Sequence, residues 1–375
     1  MDTITILKIF TFDYSFKTWE DSGTLEREIK IYTELEKMYS VKFIFLTYGF
    51  ADEKKYESLF RRSKIIPIYT VIKHSDRKLI RLLKTFTIPF KIKNHLSSIS
   101  LIKQNQLLGS WVAILLKLLT NKPLIIRTGY DMYQFSKYNG TSFYKRILYY
   151  LLTEFSLIFS TLYTVTSRCD LDFLSKRFTS TKKITIRPNW VKEIPYKPID
   201  TRSKNKVIMV GRLEDQKNYA YMLHELSGLN YEIDIYGKGT QLEELQNKAK
   251  KLEVKINLLG TLSNEDLLNI MCEYKFFLST SKYEGNPKAL LEAMSAGCVI
   301  FASNIPNNTE IIKKKSGYLF DLNPGSLRNI FTPKKYSDDE LSVKSLNGYK
   351  YVNSNNSFLS AVKNEYTDYL RIQRN

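Results

Sequence analysis

Ser279-Thr280-Ser281-Lys282-Tyr283-Glu284-Gly285-Asn286-Pro287-Lys288-Ala289-Leu290-Leu291-Glu292-Ala293-Met294-Ser295-Ala296-Gly297 is the stretch on which the reading of this sequence turns. Its two glutamates, Glu284 and Glu292, have seven residues between them. The same separation occurs at Glu20/Glu28, Glu26/Glu34, Glu28/Glu36 and Glu265/Glu273, so spacing alone carries little. The context carries the signal. Asn286 is a favourable helix N-cap and Pro287 a favourable first helical residue, which predicts a helix starting just after Glu284. Its first N–H groups and the positive end of its dipole would face a sheet edge, where an anionic diphosphate fits.

Two other loops share this setting. After the strand-like run Val207 to Val210 comes Gly211-Arg212-Leu213-Glu214-Asp215-Gln216-Lys217-Asn218, followed by a helical pattern. A strand that ends in glycine and then presents cations at the carboxyl edge of a parallel sheet is where a doubly wound fold binds phosphates. Arg212 offers a planar fork to two phosphate oxygens and Lys217 a movable point charge; read alone, the segment is equally a solvated basic loop. Tyr236-Gly237-Lys238-Gly239-Thr240 again lies between strand and helix patterns. Its two glycines let backbone approach a ligand closely, although a lone G-x-G also serves as an ordinary turn. Eight helical steps would set Glu284 and Glu292 about 12 Å apart, roughly the distance from sugar to ribose in a nucleotide-sugar.

Farther out, short β-branched or aromatic runs alternate with longer helical patterns. Expected strands in the first half are Ile4 to Phe10, Val41 to Thr47, Ile65 to Thr70, Leu124 to Arg127, Tyr163 to Thr166 and Ile184 to Ile186. The second half adds Val207 to Val210, Tyr231 to Tyr236, Ile256 to Leu258, Phe276 to Leu278, Val299 to Ala302 and Tyr318 to Phe320. Helices are expected at Leu25 to Met38, Leu242 to Leu252 and Asn264 to Met271, an order that predicts two parallel α/β sheets. A chain of 375 residues is long enough for two domains with a cleft between them. The stretch from Arg187 to Asn205 carries Pro188, Pro195, Pro198 and a polar run. This gives domains at 1–190 and 206–355, a linker at 191–205, and a C-terminal helix at 356–375 returning toward the first domain.

Hydrophobic residues at 43% and charged residues at 25% exclude a disordered, collagen-like or disulfide-framework chain. The charge is less ordinary: 57 Lys+Arg against 38 Asp+Glu give +19, which points to an anionic partner. Cys169, Cys272 and Cys298 have no C-x-x-C spacing, so neither a disulfide scaffold nor a zinc site is indicated and a reducing cytoplasm fits. The apolar start Ile4 to Phe10 has no basic lead, is interrupted by Lys8 and is followed by Asp13, so it reads as a buried strand rather than an export signal. Ile147 to Thr166 has the length of a membrane span, but Glu154 at its centre favours a soluble helix followed by a strand.

From about Val207 to Phe320 the sequence resembles the retaining glycosyltransferases of family 4, which have the GT-B fold of two facing Rossmann-like domains. The resemblance rests on G-R-L-x-x-Q-K-N, the glycine loop, E-G-N-P-K-A-L-L-E-A-M-S-A-G, and Glu310 with Gly317-Tyr318-Leu319. It implies that Arg212 and Lys217, after Gly211, neutralise the donor diphosphate, that Glu284 orients the donor sugar and that Glu292 holds the ribose. Gly237, Gly239 and the groups of Gly285, Asn286, Lys288, Ala289 and Leu290 would complete the donor cradle; Pro287 has no N–H to give. Before residue 190 the resemblance is weaker. The loop Trp19 to Leu25 has one glycine, Gly23, where many members have a pair for close backbone approach. Arg127, Tyr130 and Asp131 stand where many members carry a histidine, and are candidates to meet sugar or acceptor; Gly129 as a turn and Asp131 as a helix cap are the structural alternative. Asn307-Asn308 stands where glycines are common, a substitution that asparagine's left-handed preference would permit.

Other candidates are plainer. His74, His95 and His224 are scattered without metal spacing, and Asp170-Leu171-Asp172 reads as a helix cap after Ser167 rather than a metal motif, so no metal or other cofactor is expected. Between Lys54 and Lys93 lie Arg61, Arg62, Lys64, Arg77, Lys78, Arg81, Lys84 and Lys91, interleaved with Leu79, Ile80, Leu82, Leu83, Phe86, Ile88 and Phe90. That mixture suits an anionic membrane surface, and no nucleic-acid motif beyond charge accompanies it. The expected function is transfer of a hexose-type sugar from a nucleotide-diphosphate donor to a lipid-linked or surface-polysaccharide acceptor, at the cytoplasmic face of the membrane. A nucleotide-sugar epimerase, or a non-catalytic binder of anionic surfaces or nucleic acid, is the alternative.

Overall fold

The computed structural model describes residues 3–93, 96–181, 183–312, 315–332 and 335–373. The chain divides into two compact units, one comprising residues up to Pro188 together with the chain from Leu359 onward, the other Asn189–Phe358. Within the stretch expected as a linker, Val191 already pairs with Ser357 and the first strand of the second unit starts at Ser203, so those residues are part of the second unit.

The first unit holds β1 (Ile4–Ile9), β2 (Val41–Thr47), β3 (Lys64–Pro67), β4 (Leu101–Asn105), β5 (Leu124–Arg127), β6 (Leu162–Val165) and β7 (Ile184–Ile186). They form one sheet in the order β3-β2-β1-β4-β5-β6-β7, every pair parallel. The second unit holds β8 (Ser203–Val210), β9 (Glu232–Tyr236), β10 (Lys255–Leu258), β11 (Tyr274–Ser279), β12 (Val299–Ser303) and β13 (Tyr318–Phe320). Their order, β10-β9-β8-β11-β12-β13, is again wholly parallel. Each sheet therefore reverses direction once, between β1 and β4 and between β8 and β11, the doubly wound arrangement whose crevice lies at the carboxyl ends of those two strands.

Both faces of each sheet are covered, which is why the strands read as continuous apolar runs. In the second sheet Val207, Met209, Phe276, Leu278, Val299 and Phe301 join one core. The alternating Ile208, Phe277, Ile300 and Ala302 join the core on the other side. The segment expected as a strand over Ile65 to Thr70 turns into a helical turn at Ile68–Val71, and β4 was not expected at all. That strand is central yet carries Lys103 and Gln104, both buried.

Buried cations explain why the C-terminal helix Phe358–Gln373 belongs with the first sheet. Lys8 on β1 lies beside Lys103 on β4, and burial pushes the Lys8 ammonium down to about 7 against a smaller opposing pull from Glu28. Lys103 is driven well below its ordinary value, first by burial and then by Arg127 and Lys8. The helix supplies the counter-charge: Glu365 pairs with Lys103, and Asp368 accepts two hydrogen bonds from Arg187 at 2.8 and 2.7 Å.

Removing one partner of a buried ion pair leaves the other charge uncompensated. Asp368→Ala should therefore cost the first unit about 3 kcal/mol, read as a lower urea midpoint, while Arg187→Met with Asp368→Leu should recover most of it. Equal losses in the single and double variants would contradict this account.

Candidate functional site

The reversal in the second sheet brings two of the loops singled out in the sequence to one edge. The chain leaving β8 makes Gly211 to Asn218, with a short 3-10 turn at Asp215–Lys217 and Asn218 in the left-handed region at φ 54°. The chain leaving β11 makes Thr280 to Pro287 before the helix Lys288–Ser295. Main-chain and side-chain bonds stitch the two: Lys282 N–H donates to the Gln216 carbonyl at 2.8 Å, Thr280 Oγ1 to the Lys217 carbonyl at 2.8 Å, and Gln216 Nε2 to the Tyr283 carbonyl at 2.9 Å. Lys282 Nζ also pairs with Asp215 at 2.6 Å.

Across this seam Lys217 Nζ meets Glu284 Oε1 at 2.5 Å, with both side chains largely buried. Ser281 Oγ donates to the same carboxylate oxygen at 2.7 Å, and Gln216 Nε2 reaches Oε2 at 3.5 Å. The carboxylate is thus held by three donors, which leaves little rotational freedom. Arg212 is exposed and donates to Gln216 Oε1 at 3.2 Å. Gln216 and Ser281, which hold Glu284, are not singled out individually by the sequence; each lies inside one of the quoted stretches, and only the fold shows what it touches.

The glycines of the third loop are required by contact with backbone of the loop after β8. A Cβ on Gly237 would lie 1.9 Å from the Gly211 carbonyl oxygen, and one on Gly239 would lie 2.3 Å from that of Leu213. Their lack of a side chain lets this loop pack against the backbone of the Arg212 loop, and Leu213 N–H donates to the Lys238 carbonyl at 3.0 Å. Glu214 closes the arrangement by accepting from the Thr240 N–H and hydroxyl at 3.2 and 3.0 Å.

The helix start also differs from the expectation. Pro287, not Asn286, is the N-cap: its backbone is extended, at φ −69° and ψ 93°, and its carbonyl takes the first intrahelical bond from Leu291 N–H. Asn286 is occupied elsewhere, its side-chain oxygen accepting from Asn189 N–H and its carbonyl from Asn189 Nδ2, each at 3.0 Å. The N–H groups of Lys288, Ala289 and Leu290 precede that first intrahelical bond, so they mark the positive end of the dipole. Leu290 buries its side chain in the core and Gly285 is buried, while the Lys288 ammonium sits 4.4 Å from the Trp190 ring centre. Only the later part of the Glu284 to Glu292 interval is helical, so a full helical rise does not separate the two carboxylates. Glu292 is buried and accepts from Asn264 Nδ2 at 2.8 Å, a partner that no sequence signal disclosed.

In the first unit the corresponding reversal is bordered by the chain after β1 and after β4. Gly23 has φ +68° and open space where a side chain would stand, and Trp19 to Asp21 belong to a helix. Gly109 is crowded by the protein's own backbone, at φ +102°, with its Cβ position 3.2 Å from the Phe10 carbonyl oxygen and the Phe12 nitrogen. Arg127 donates to the Arg187 carbonyl at 2.9 Å, and burial lowers its pKa. Tyr130 is exposed beside Phe135. Asp131 is the N-cap of the helix Met132–Tyr138, accepting from Gln134 N–H at 2.6 Å. Asn307 and Asn308 lie in the helix Pro306–Ile311 with ordinary negative φ rather than in the left-handed region; Asn308 is held there by donating to the Ser303 carbonyl.

Ser167 caps the helix Arg168–Arg177, its Oγ accepting from Asp170 N–H and donating to the Asp170 carboxylate, while Asp172 pairs with Arg168 at 3.2 Å. His74 packs against Phe50 and Tyr69, His224 lies in the helix Tyr219–Leu226, and His95 falls outside the described residues. Among the described residues no group of three or more His, Cys, Asp and Glu side chains is placed to hold a metal ion.

Comparison with known proteins concerns the family and the fold. Residues 193–328 match the family model described as Glycosyl transferases group 1. A capsular polysaccharide biosynthesis glycosyltransferase, CapH of Staphylococcus aureus, is 28% identical over 152 residues, 36% of this chain and 42% of that protein. The UDP-Gal:alpha-D-GlcNAc-diphosphoundecaprenol alpha-1,3-galactosyltransferase of Escherichia coli is 29% identical over 174 residues, 40% of this chain and 44% of that protein. The chain thus spans less than half the length of these relatives. By structure it resembles Anabaena HepE, solved with UDP and glucose, at a TM-score of 0.74, 14% identity and coverage of 97% and 99%. It also resembles sucrose-phosphate synthase of Thermosynechococcus elongatus, at a TM-score of 0.77, 14% identity and coverage of 98% and 99%. The fold is of the GT-B class, two Rossmann-like parallel-sheet units.

Burial pushes the Asp131 carboxyl up to about 6, against the lowering effect of the Gln134 bond. A carboxyl whose folded pKa exceeds its unfolded value binds its proton more tightly when folded. Its contribution to stability is full below about pH 4 and is lost as pH rises through about 6. Asp131→Asn keeps the cap acceptor without the charge. It should melt about 5 °C above the parent protein at pH 7.5, with the gap closing by pH 4. A gap independent of pH would contradict the burial argument.

Proposed function

We propose that this chain is a retaining glycosyltransferase that moves a hexose-type sugar from a nucleotide-diphosphate donor to a lipid-linked or surface-polysaccharide acceptor. The observation that carries the reading is the seam between the loops after β8 and β11. There Arg212, Lys217, Glu284 and the start of the helix Lys288–Ser295 share the carboxyl edge at which the second sheet reverses. The match of residues 193–328 to the glycosyl transferases group 1 model supports it, as do relatives named as glycosyltransferases, one of them for a diphosphoundecaprenol substrate.

As the bond from sugar to diphosphate breaks, negative charge accumulates on the leaving group. Cations fixed before the reaction stabilise that charge more in the transition state than in the ground state. Lys217 and Arg212 supply them, with the helix dipole behind. Glu284, held by Ser281 and Gln216 as well as by Lys217, orients the sugar hydroxyls, and Glu292 holds the ribose. A donor diphosphate shares Lys217 with Glu284, so binding and sugar orientation are coupled through one ammonium. Neutralisation by side chains and dipole needs no divalent ion. The Arg77 to Lys93 run attaches the first unit to an anionic membrane surface at the cytoplasmic face, near a lipid-linked acceptor.

Lys217→Ala should lower kcat at saturating donor by roughly 10² or more, and a normal kcat with only a raised KM would refute its role. Chelation by EDTA should leave transfer largely intact; complete loss restored by Mn²⁺ would overturn metal independence. By calorimetry, Glu292→Ala should weaken free nucleotide diphosphate, whereas Glu284→Gln should bind it almost normally yet transfer poorly. Equal weakening in both variants would contradict the division of labour.

A further inference from the structure

The helix Phe143–Phe159 is built inside out. The residues it turns inward include hydroxyls: Thr153 and Ser156 are fully buried, Ser156 donating to Ser110 Oγ at 3.0 Å and Thr153 to Asp131 at 3.4 Å. The residues it turns outward are apolar: Tyr144, Ile147, Leu148, Leu151, Phe155 and Ile158, with Tyr144 83% and Leu148 56% exposed. At 100° per residue these six fall within about a third of the helix circumference, with no charged residue among them. The stripe runs along a 17-residue helix, roughly 25 Å in length. A helix on a water-facing surface has the opposite polarity, and an uninterrupted apolar face of this length marks a docking surface.

Its neighbours indicate what docks. The adjacent helix Ser110–Thr120 touches this one through Ser110 and touches the basic segment through Trp111, whose Nε1 donates to Thr85 Oγ1 at 2.8 Å and whose ring stacks on Phe86. The basic helix Lys78–Thr85 and the inverted helix therefore flank one common helix in the first unit. Exposed cations stand on both helices, Lys78 with Arg77 just before it on the basic one and Lys145 on the inverted one. Arg81 and Lys84 are committed within the unit, Arg81 to Asp13 at 2.9 and 2.8 Å and Lys84 Nζ to the Lys73 carbonyl at 3.0 Å. Apolar side chains bordered by lysines match a bilayer surface with anionic head groups: the former enter the acyl boundary and the latter meet the phosphates. Among the described residues no helix is long and apolar enough to cross a membrane, so the contact is lateral.

We infer that the outward stripe of the helix Phe143–Phe159 lies in the interface of an anionic membrane, making this helix, beside the basic run, a membrane-contact element of the first unit. The inference rests on the membrane-side reading above and is independent of the donor site.

The test compares the wild-type chain with Leu148→Ser/Leu151→Ser/Phe155→Ser and with the cation variant Arg77→Ser/Lys78→Ser, by co-sedimentation with phosphatidylglycerol–phosphatidylcholine vesicles. The apolar variant should lose about tenfold or more in vesicle partitioning, with its melting temperature and UDP affinity unchanged. Vesicle binding that is intact in the apolar variant but lost in the cation variant would overturn the role of the stripe while leaving the basic run standing. No binding by the wild type would overturn both. A wild-type dimer that the apolar substitutions dissolve, seen by analytical ultracentrifugation, would assign the stripe to a second copy and overturn the inference. Should the triple variant not fold, Leu151→Trp provides the readout: its added emission should be quenched by lipids brominated in the acyl chain, and unquenched emission would refute insertion.

Discussion

Parallel pairing of β8 with β11 is the constraint on which the candidate site depends. Strands that run the same way must be joined by crossovers, so every loop that follows a strand emerges on one edge of the sheet. Where the order reverses, the crossovers on either side go to opposite faces, and the two central loops are not covered by a connection between them. Lys217 and Glu284 are 67 residues apart in the chain, yet this rule alone sets them side by side. Once there, each neutralises the other, and the surrounding Gln216, Ser281 and Thr280 bonds fix both loops. The chemistry proposed for the site is therefore a consequence of sheet order first and of residue identity second.

The glycines in these loops show the same dependence. Gly237 and Gly239 are required by contact with the Gly211 and Leu213 carbonyls, so they determine how near the third loop comes to the second. A side chain at either position would have to displace backbone, which shifts Arg212 along with it. Their effect on a ligand, if the proposed donor is bound there, is transmitted through the loop that holds the cations.

Much of this was legible in the sequence, and the reasons for the exceptions are specific. Apolar β-branched and aromatic runs declare the strands, which is why β2, β5, β7 and β13 fall where the sequence puts them even though β7 and β13 lie at sheet edges and are only partly buried. β4 was silent because Lys103, Gln104 and Asn105 fill most of a five-residue central strand, and the charge is tolerated only because Glu365, from the far end of the chain, comes back to meet it. The cap at Asn286 failed for a similar reason: a local preference worth about 1 kcal/mol lost to two bonds with Asn189. The crowding of Gly109 by the Phe10 and Phe12 backbone was likewise silent, because those partners come from the chain after another strand. Loop cations were readable as cations; their partners were not, because partners come from other strands.

The excess of positive charge can be divided on the same principle. Lys103 and Arg187 are answered by Glu365 and Asp368, and Arg81 by Asp13, so these residues hold the first unit together and are not available to an external anion. Lys217 is answered by Glu284 in the second unit, by a pairing at the carboxyl edge where the sheet reverses and where the proposed donor phosphate would compete for it. Arg77, Lys78 and Lys145 are exposed, on or next to helices whose apolar side chains the first unit turns outward. Net charge alone therefore could not say which partner the chain meets. The distinction lies in where each cation's counter-charge comes from: the protein's interior or, for the function proposed, a substrate and a surface outside the molecule.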